Sequence, residues 1–171
     1  MECTLRCWLG LRMRCICVIQ DLIQELRSWK EITMALRWRS SFSCNIKEID
    51  FQHSRLFEIS SKLNILGPIC NRIDFEDEIL EVINELKEYT LYHFDYEEKL
   101  MEKFNYEEYN EHLREHEVFL AKVKEIEKDR SNFNRPEMVR SITEFLIDWI
   151  TAHILKTDMK YREFFNNRGI Y

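Results

Sequence analysis

Every histidine of this chain occupies a position that a helical repeat turns toward apolar residues, and this placement is the strongest constraint on its fold. His112 and His116 are four residues apart, and Glu97 follows His93 by the same interval. Residues i and i+4 lie on one face of an α-helix, so each pair offers two donor groups to one point. A buried histidine or glutamate is costly unless it is paired or binds a metal. The spacing therefore predicts a metal site inside a helix bundle.

Composition supports a helical bundle and argues against several functions. The 171 residues include only three glycines and two prolines, and 33% are charged, which indicates one domain of long helices with short loops. The net charge of −6 leaves no basic stripe for phosphates, so we expect no nucleic-acid partner. No apolar run approaches the roughly 20 residues that a membrane span needs, so we expect no membrane partner either.

Four stretches carry apolar residues at helical spacing, and residues that start or stop helices bound them. Gly67-Pro68 ends the first stretch. Asp74 is expected to cap the second, Asn105 to cap the third, and Pro136 to begin the fourth. These boundaries predict an all-α, antiparallel up-down-up-down four-helix bundle with an N-terminal extension. The predicted helices span about 47–66, 75–104, 106–128 and 136–165.

Residues 1–33 differ in character from residues 34–171, which form the predicted bundle domain. Two interpretations of this extension remain open. Ile19, Leu22 and Leu26 have helical spacing, which favours a short amphipathic helix lying against the bundle. The run from Lys30 to Met34 is also what a purine-rich ribosome-binding site, a spacer and a start codon would encode, which favours translation from Met34.

The cysteines crowd the N-terminal extension but fit no closed zinc site there, because no histidine lies nearby and the spacing of Cys3 and Cys7 does not match such a site. Arginines interrupt the apolar residues at the N-terminus, so the pattern of a secretory signal is not present. We therefore expect reduced thiols and a cytoplasmic protein. Four cysteines lie in the extension and two beyond it, at Cys3, Cys7, Cys15, Cys17, Cys44 and Cys70.

One further imidazole comes from each of the first and fourth predicted helices, at His53 and His153. Asp158 follows His153 by five residues, a less regular interval. In an ideal α-helix five residues leave the two side chains about 140° apart. Either the helix is distorted between them, or the carboxylate reaches the site from a neighbouring layer.

Five imidazoles and two carboxylates are too many donors for one small ion and fit two ions that share carboxylates. A nitrogen and oxygen donor set without thiolate suits iron better than copper or structural zinc. Carboxylate-rich di-iron bundles use Glu-x-x-His pairs, which none of the five histidines forms, so that class fits poorly. A single histidine on an apolar face is usually a hydrogen-bonded core residue, but five are hard to explain in that way. The predicted metal-site residues are His53, His93, Glu97, His112, His116, His153 and Asp158.

Four stretches of the chain resemble the ligand-bearing motifs of the hemerythrin family, specifically of single-domain bacterial hemerythrins. The resemblance covers about residues 34–165 and leaves the N-terminal extension outside. The matching stretches are Trp38 to His53, His93 to Glu98, His112 to His116, and Trp149 through Asp158 to Tyr161.

The resemblance implies a non-heme di-iron centre, oxo- or hydroxo-bridged, that binds O2 reversibly for storage, delivery or sensing. One iron would have three histidines, the other two, and two carboxylates would bridge them, by position His112, His116 and His153, then His53 and His93, then Glu97 and Asp158. O2 would bind at the iron with two histidines. We therefore expect a protein that is not an enzyme. The alternatives are a di-iron redox enzyme that reduces peroxide or nitric oxide, an iron-handling protein, and a structural metal-binding bundle.

Residues around the ligands also have expected roles. Apolar side chains should limit the entry of water, and polar side chains should orient the imidazoles. The apolar candidates, which would pack in a core in any case, are Leu56, Phe94, Trp149 and Ile150. The polar candidates are Gln52, Glu98 and Tyr161, although Glu98 is expected to be a solvated surface acid.

Overall fold

The computed structural model describes residues 37–66, 75–128 and 136–171, and all regular structure in these ranges is helical. The predicted all-α four-helix bundle is confirmed. Residues 1–36 lie outside the described ranges, so the boundary near residue 34 and the nature of the extension stay predictions. The elements are a 3-10 turn at Ser40–Phe42, α1 at Lys47–Leu66, α2 at Glu76–Phe104, α3 at Tyr109–Lys128, α4 at Pro136–Ala152, a π-helical segment at His153–Asp158, and α5 at Met159–Asn166.

The N-terminus of α1 is fixed by a carboxylate that binds the preceding loop. Asp50 accepts hydrogen bonds from the Ser43 hydroxyl at 2.5 Å and from the Cys44 backbone N–H at 2.9 Å. Between the loop and the helix, Asn45 has a left-handed backbone with φ of 59°, which asparagine tolerates better than most residues. These contacts hold the first turn of α1 in place, and Asp50 precedes His53 by about one turn.

Two predicted helix boundaries need correction. Asn105 does not cap α3, because it ends α2 in the left-handed conformation with φ of 53° and ψ of 55°. Tyr106 N–H then bonds to the Met101 carbonyl at 2.9 Å, which closes the end of the helix in a manner typical of a left-handed C-cap. The N-cap of α2 is Phe75, one residue after the predicted Asp74, which lies outside the described ranges.

The bundle core divides into clusters along the helix axes. One large cluster joins all four helices and includes Leu56, Leu86, Phe119 and Leu146. A second cluster gathers Ile46, Ile49, Met101, Tyr161 and Phe165. Along α1, α2 and the final helical stretch, the histidines and carboxylates lie between residues of these clusters. The apolar packing therefore encloses a polar layer.

α1 packs against α2 and α4, and α2 packs against α3. A short connection, residues 105–108, joins α2 to α3, as expected for antiparallel neighbours. Among the described residues, no helix combines the length and the apolar character needed to cross a membrane.

Candidate metal centre

All seven residues predicted to bind metal meet in the polar layer of the bundle. Their side chains come from α1, α2, α3 and the π-helical segment, and each is almost completely buried. Two overlapping groups of donor atoms form there, within 4.8 Å of one another, and both could hold a metal ion. The groups are Glu97, His112, His116 and His153, and His53, His93, Glu97 and Asp158.

The first group contains the three-histidine set, which is His112, His116 and His153. The Nε2 atoms of His116 and His153 are 3.1 Å apart. Glu97 Oε2 lies 3.3 Å from Nε2 of His112 and 3.3 Å from Nε2 of His116. Neighbouring donors around one ion with bonds of about 2.1 Å are separated by roughly 3 Å, so these spacings suit a metal position.

The second group contains the two-histidine set, which is His53 and His93. Their rings meet edge to face with centroids 4.8 Å apart. His93 Nε2 lies 3.5 Å from Glu97 Oε2, and His53 Nε2 lies 3.1 Å from Asp158 Oδ2. This group has one imidazole fewer than the first.

The two carboxylates lie between the sets and face both. Asp158 places Oδ1 at 3.2 Å from His153 Nε2 while its Oδ2 faces His53. Glu97 places Oε2 near His112 and His116, and its Oε1 lies 3.8 Å from His53 Nε2. Each carboxylate is therefore placed to connect two metal positions.

The π-helical segment explains how Asp158 reaches the site. The sequence left open whether the helix is distorted or the carboxylate approaches from another layer, and the structure shows the distortion. In a π-helix the hydrogen bonds connect residues five apart, so such residues lie about one turn from each other. Asp158 consequently shares the inner face with His153 despite the interval of five.

Three histidines have their outer ring nitrogen, Nδ1, hydrogen-bonded by a side chain. His116 Nδ1 and His153 Nδ1 donate to Glu98 Oε1 and Glu115 Oε2, each at 2.8 Å. A carboxylate oxygen only accepts hydrogen bonds, so both Nδ1 atoms carry a proton. The Nε2 atoms of the two rings then face each other at 3.1 Å, so a proton or a metal ion has to lie between them. Against the effect of burial, hydrogen bonds with Glu97 and Glu98 raise the pKa of His116 to about 9. The third bond joins His93 Nδ1 and Gln52 Oε1 at 3.0 Å.

Buried polar atoms without hydrogen-bond partners also favour a metal. Both nitrogens of His53 and both oxygens of Asp158 are buried and have no hydrogen-bond partner among the described residues, although His53 Nε2 and Asp158 Oδ2 lie only 3.1 Å apart. Buried polar groups are rarely left in this state, because desolvation costs about 1–3 kcal/mol per group. A cation between these atoms would satisfy them. The residues present therefore fit a pair of metal ions.

The pKa values of the buried groups also indicate that the site requires positive charge. Burial disfavours the charged imidazole, but the carboxylates of Asp158 and Glu97 outweigh it and raise the pKa of His53 to about 9. At His93 burial dominates and lowers the pKa to about 3. Although burial alone would raise the pKa of Glu97, His93 and the other surrounding histidines hold it well below the usual value. The site therefore contains ionised carboxylates that require positive charge nearby.

Comparison with known proteins identifies the family to which this chain belongs. The family model described as the hemerythrin HHE cation binding domain matches residues 44–164. The chain belongs to the hemerythrin family. It is 32% identical to a bacteriohemerythrin of Clostridium acetobutylicum over 72% of this chain and 96% of that protein. It is 35% identical to a bacteriohemerythrin of Pseudomonas paraeruginosa over 74% of this chain and 78% of that protein, and 33% identical to hemerythrin subunit alpha of Lingula anatina over 73% and 91%.

The surroundings of this hemerythrin site correct one expectation and add one residue. Glu98 is not simply a solvated surface acid, because its side chain is 26% exposed and bonds His116. Glu115, which the sequence analysis did not single out, bonds His153 and also accepts a hydrogen bond from Thr157 Oγ1 at 2.8 Å. The hydrogen bonds from His153 and Thr157 lower the pKa of Glu115 to about 2. The available sequence signal was its position next to His116. The helix turns Glu115 away from that histidine, and it can therefore reach a histidine on another element.

The expected role of Gln52 is confirmed, and the role of Tyr161 is modified. Gln52 orients an imidazole, as its contact with His93 shows. Tyr161 instead donates its hydroxyl to Glu97 Oε1 at 2.5 Å, so it orients a carboxylate. Burial, together with the nearby carboxylates, raises the pKa of Tyr161 well above its usual value. The hydroxyl therefore stays protonated and remains a donor.

Aromatic rings cover both sides of the hemerythrin site. Phe94 stacks on His116 with centroids 3.5 Å apart, and Trp149 stacks on His153 at 4.4 Å. Trp38, to which no covering role was assigned, lies 6.1 Å from the ring of His53 and contacts Phe57. The other two apolar candidates, Leu56 and Ile150, are buried in the core.

Cys44 lies close to the site but is poorly suited to bind metal. Its sulfur, with Asp50 and His53, forms a third group of possible donors. Burial and the nearby Asp50 carboxylate raise the pKa of the Cys44 thiol far above its usual value. The thiol donates to Asp50 Oδ1 at 3.4 Å, and a protonated thiol is not the form that binds metal.

Proposed function

We propose that this chain binds O2 reversibly at a non-heme di-iron centre. The iron ligands would be the three-histidine set for one ion and the two-histidine set for the other, with Glu97 and Asp158 shared. The observation that carries this proposal is the unequal division of five imidazoles around two carboxylates that face both groups. Two ferrous ions with an oxo or hydroxo bridge would supply the two electrons that reversible O2 binding requires.

The division of ligands indicates where O2 would bind. The three-histidine set supplies one more protein ligand than the two-histidine set, so the second iron would have more room for a small molecule. The relatives named hemerythrin and bacteriohemerythrin support O2 binding in general. Reactive metal sites usually have an open coordination position, which supports O2 binding at the iron with two histidines.

The chain itself would orient the ligands and exclude water. Tyr161 holds Glu97 through a hydrogen bond, and Gln52 holds His93. Beside His53, a cluster of Phe42, Phe57, Ile150 and Ile154, with Trp38 packed against it, forms an apolar wall. Such a wall would favour a small apolar gas over water at the two-histidine position.

The test is a cycle of oxygenation with the iron-loaded full chain. Metal-free protein is loaded with Fe²⁺ under nitrogen, exposed to air, and returned to nitrogen while visible absorption is recorded. We expect two ions per chain and an absorption band that appears with O2 and disappears on its removal. Failure to bind two ions, or an irreversible change after the first exposure, would contradict reversible binding.

A second measurement separates the proposal from a di-iron enzyme. The loaded chain is incubated with hydrogen peroxide or nitric oxide and a reductant, and consumption is followed over many turnovers. We expect no sustained consumption beyond that of the free metal. Repeated turnover would assign a redox enzyme in place of an O2 carrier.

A further inference from the structure

The three-histidine and two-histidine sets differ in the charge of the groups that bind their outer nitrogens. Glu98 and Glu115 hold Nδ1 of His116 and His153, so both partners in the three-histidine set are anionic. Gln52 holds Nδ1 of His93, so the partner in the two-histidine set is neutral. All three contacts are direct hydrogen bonds of 2.8 to 3.0 Å.

His53 does not restore the balance. Its Nδ1 has no hydrogen-bond partner among the described residues. The Asp50 carboxylate lies near the ring, but it accepts hydrogen bonds from Ser43 and Cys44. Among the described residues, the outer nitrogens therefore have two anionic hydrogen-bond partners in the three-histidine set and none in the two-histidine set.

An anionic acceptor on Nδ1 strengthens an imidazole as a ligand. It draws the Nδ1 proton toward itself, raises the electron density at Nε2, and adds negative charge close to the metal. Changing such a partner typically alters metal affinity by about 10-fold to 100-fold. A neutral amide fixes the ring in the same orientation without supplying the charge.

We propose that Glu98 and Glu115 set the order in which the two metal positions fill, so that the three-histidine position binds first and more tightly. The inference rests on the proposed di-iron centre and adds to it. A retained ion at this position would hold Glu97 and Asp158 in place for the second ion. The two-histidine position, with weaker ligands, would be the first to lose its ion.

Exposure limits the size of the effect. The side chain of Glu98 is 26% exposed and that of Glu115 is 46% exposed, whereas Gln52 is fully buried. Solvent screens a charge at an exposed position more strongly. We therefore expect a change of about tenfold for each glutamate, near the lower end of the typical range, with Glu98 giving the larger effect.

The experiment measures two stepwise dissociation constants for Fe²⁺ in the metal-free full chain. The titration is carried out anaerobically in competition with a chromophoric chelator, without O2. Glu98→Gln and Glu115→Gln keep an oxygen that accepts from Nδ1 but remove the charge. We expect each to raise the tighter constant about tenfold, and the double variant to raise it by about 100-fold, while the weaker constant changes little.

Two further variants separate ligand strength from general charge and from folding. Glu117→Gln removes one exposed negative charge from α3, the helix that carries Glu115, and should leave both constants unchanged. Gln52 Nε2 donates to Glu48 Oε1 at 2.8 Å, so Gln52→Glu is combined with Glu48→Gln to keep two carboxylates from meeting. This double variant supplies the missing charge to the two-histidine set and should tighten the weaker constant. It keeps the inference testable if a glutamate variant fails to fold, which the helical signal of the metal-free protein reports.

The outcomes distinguish this inference from the proposed function. Two bound ions with constants that the glutamate variants do not move would overturn the inference alone. Equal shifts of both constants, or the same shift in Glu117→Gln, would also overturn it. A wild-type chain that binds fewer than two ions would overturn the di-iron proposal and this inference together.

Discussion

The two halves of the candidate metal centre use the same kinds of donor but lie in different surroundings. Beside the three-histidine set, a surface groove of about 400 Å³ is lined by Glu115, Trp149 and His153, among others. The two-histidine set instead has the buried Gln52 and the aromatic rings of Trp38 and Phe57 around it. Aromatic rings contact both halves, but only the three-histidine half also borders the partly exposed carboxylates of Glu98 and Glu115, among the described residues.

This difference indicates that the two metal positions of the polar layer have different roles. Partly exposed carboxylates stabilise positive charge at the three-histidine set without requiring it to be sealed. An apolar wall at the two-histidine set restricts water where we propose that O2 binds. Variants that act on one half alone test this comparison.

The largest effect is expected from the residue that both halves share. Glu97→Gln removes the carboxylate charge that faces both histidine sets, so it should weaken both metal positions at once. Metal content per chain, measured after desalting, should fall for both ions. Glu102→Gln, an exposed change on the same helix, should retain both. Loss of a single ion from Glu97→Gln would show that the halves do not depend on a common carboxylate.

His93→Ala is expected to affect one half. It leaves His53 as the single imidazole of the two-histidine set, whereas the three-histidine set keeps all its members. The variant should retain one tightly bound ion and lose the reversible absorption change with O2. Metal analysis and absorption spectra measure the two properties separately. If His93→Ala retained O2 binding, the assignment of O2 to this half would be wrong.

The apolar wall is tested by a smaller change. Trp38→Ala removes a ring beside His53 and should admit water, so oxidation of the iron-loaded protein in air should become faster. We expect an increase on the order of tenfold, which corresponds to about 1.4 kcal/mol in the barrier.

Trp149→Ala is the matched variant, because its ring packs against the same apolar cluster as Trp38 but stacks on His153 of the three-histidine set. It should accelerate oxidation less than Trp38→Ala does, because its ring stacks on a histidine of the other half. The absorbance decay of both variants in air-saturated buffer gives the rates. Similar acceleration by both substitutions would remove the distinction between the halves.

The sequence contained enough information to predict the helices and the convergence of the polar residues. Intervals of four residues link His93 to Glu97 and His112 to His116, and helical geometry alone places such pairs on one face. The interval of five before Asp158 identified the place where a regular helix would fail, and the π-helical segment occurs there. A single sequence could not choose between distortion and approach from another layer, because hydrogen-bond register depends on tertiary packing.

The residues that sequence reasoning missed act across helices. Glu115 reaches His153 on a different element, and Trp38 reaches His53 from a segment outside the helices. Periodicity describes which face a residue occupies on its own helix, but not which neighbour it meets. The prediction that Asn105 caps α3 was wrong for a different reason. Asparagine is favoured both as an N-cap and as a left-handed C-cap, and the local sequence did not distinguish the two.

The last prediction concerns stability and the hydroxyl that connects the polar layer to the second core cluster. Tyr161→Phe removes the hydrogen bond to Glu97 Oε1 and leaves that buried oxygen without its donor. Hydrogen bonds to charged groups contribute about 1.5–3 kcal/mol, so the metal-free protein should unfold at a temperature lower by several degrees.

Thermal unfolding followed by circular dichroism measures this effect, with the exposed Tyr171→Phe as the control that should change little. Metal loading should reduce the difference between Tyr161→Phe and wild type, because an ion then compensates the charge of Glu97. No loss of stability in the metal-free Tyr161→Phe protein would indicate that Tyr161 serves packing alone. In that case its hydroxyl would contribute nothing to holding the shared carboxylate between the two halves.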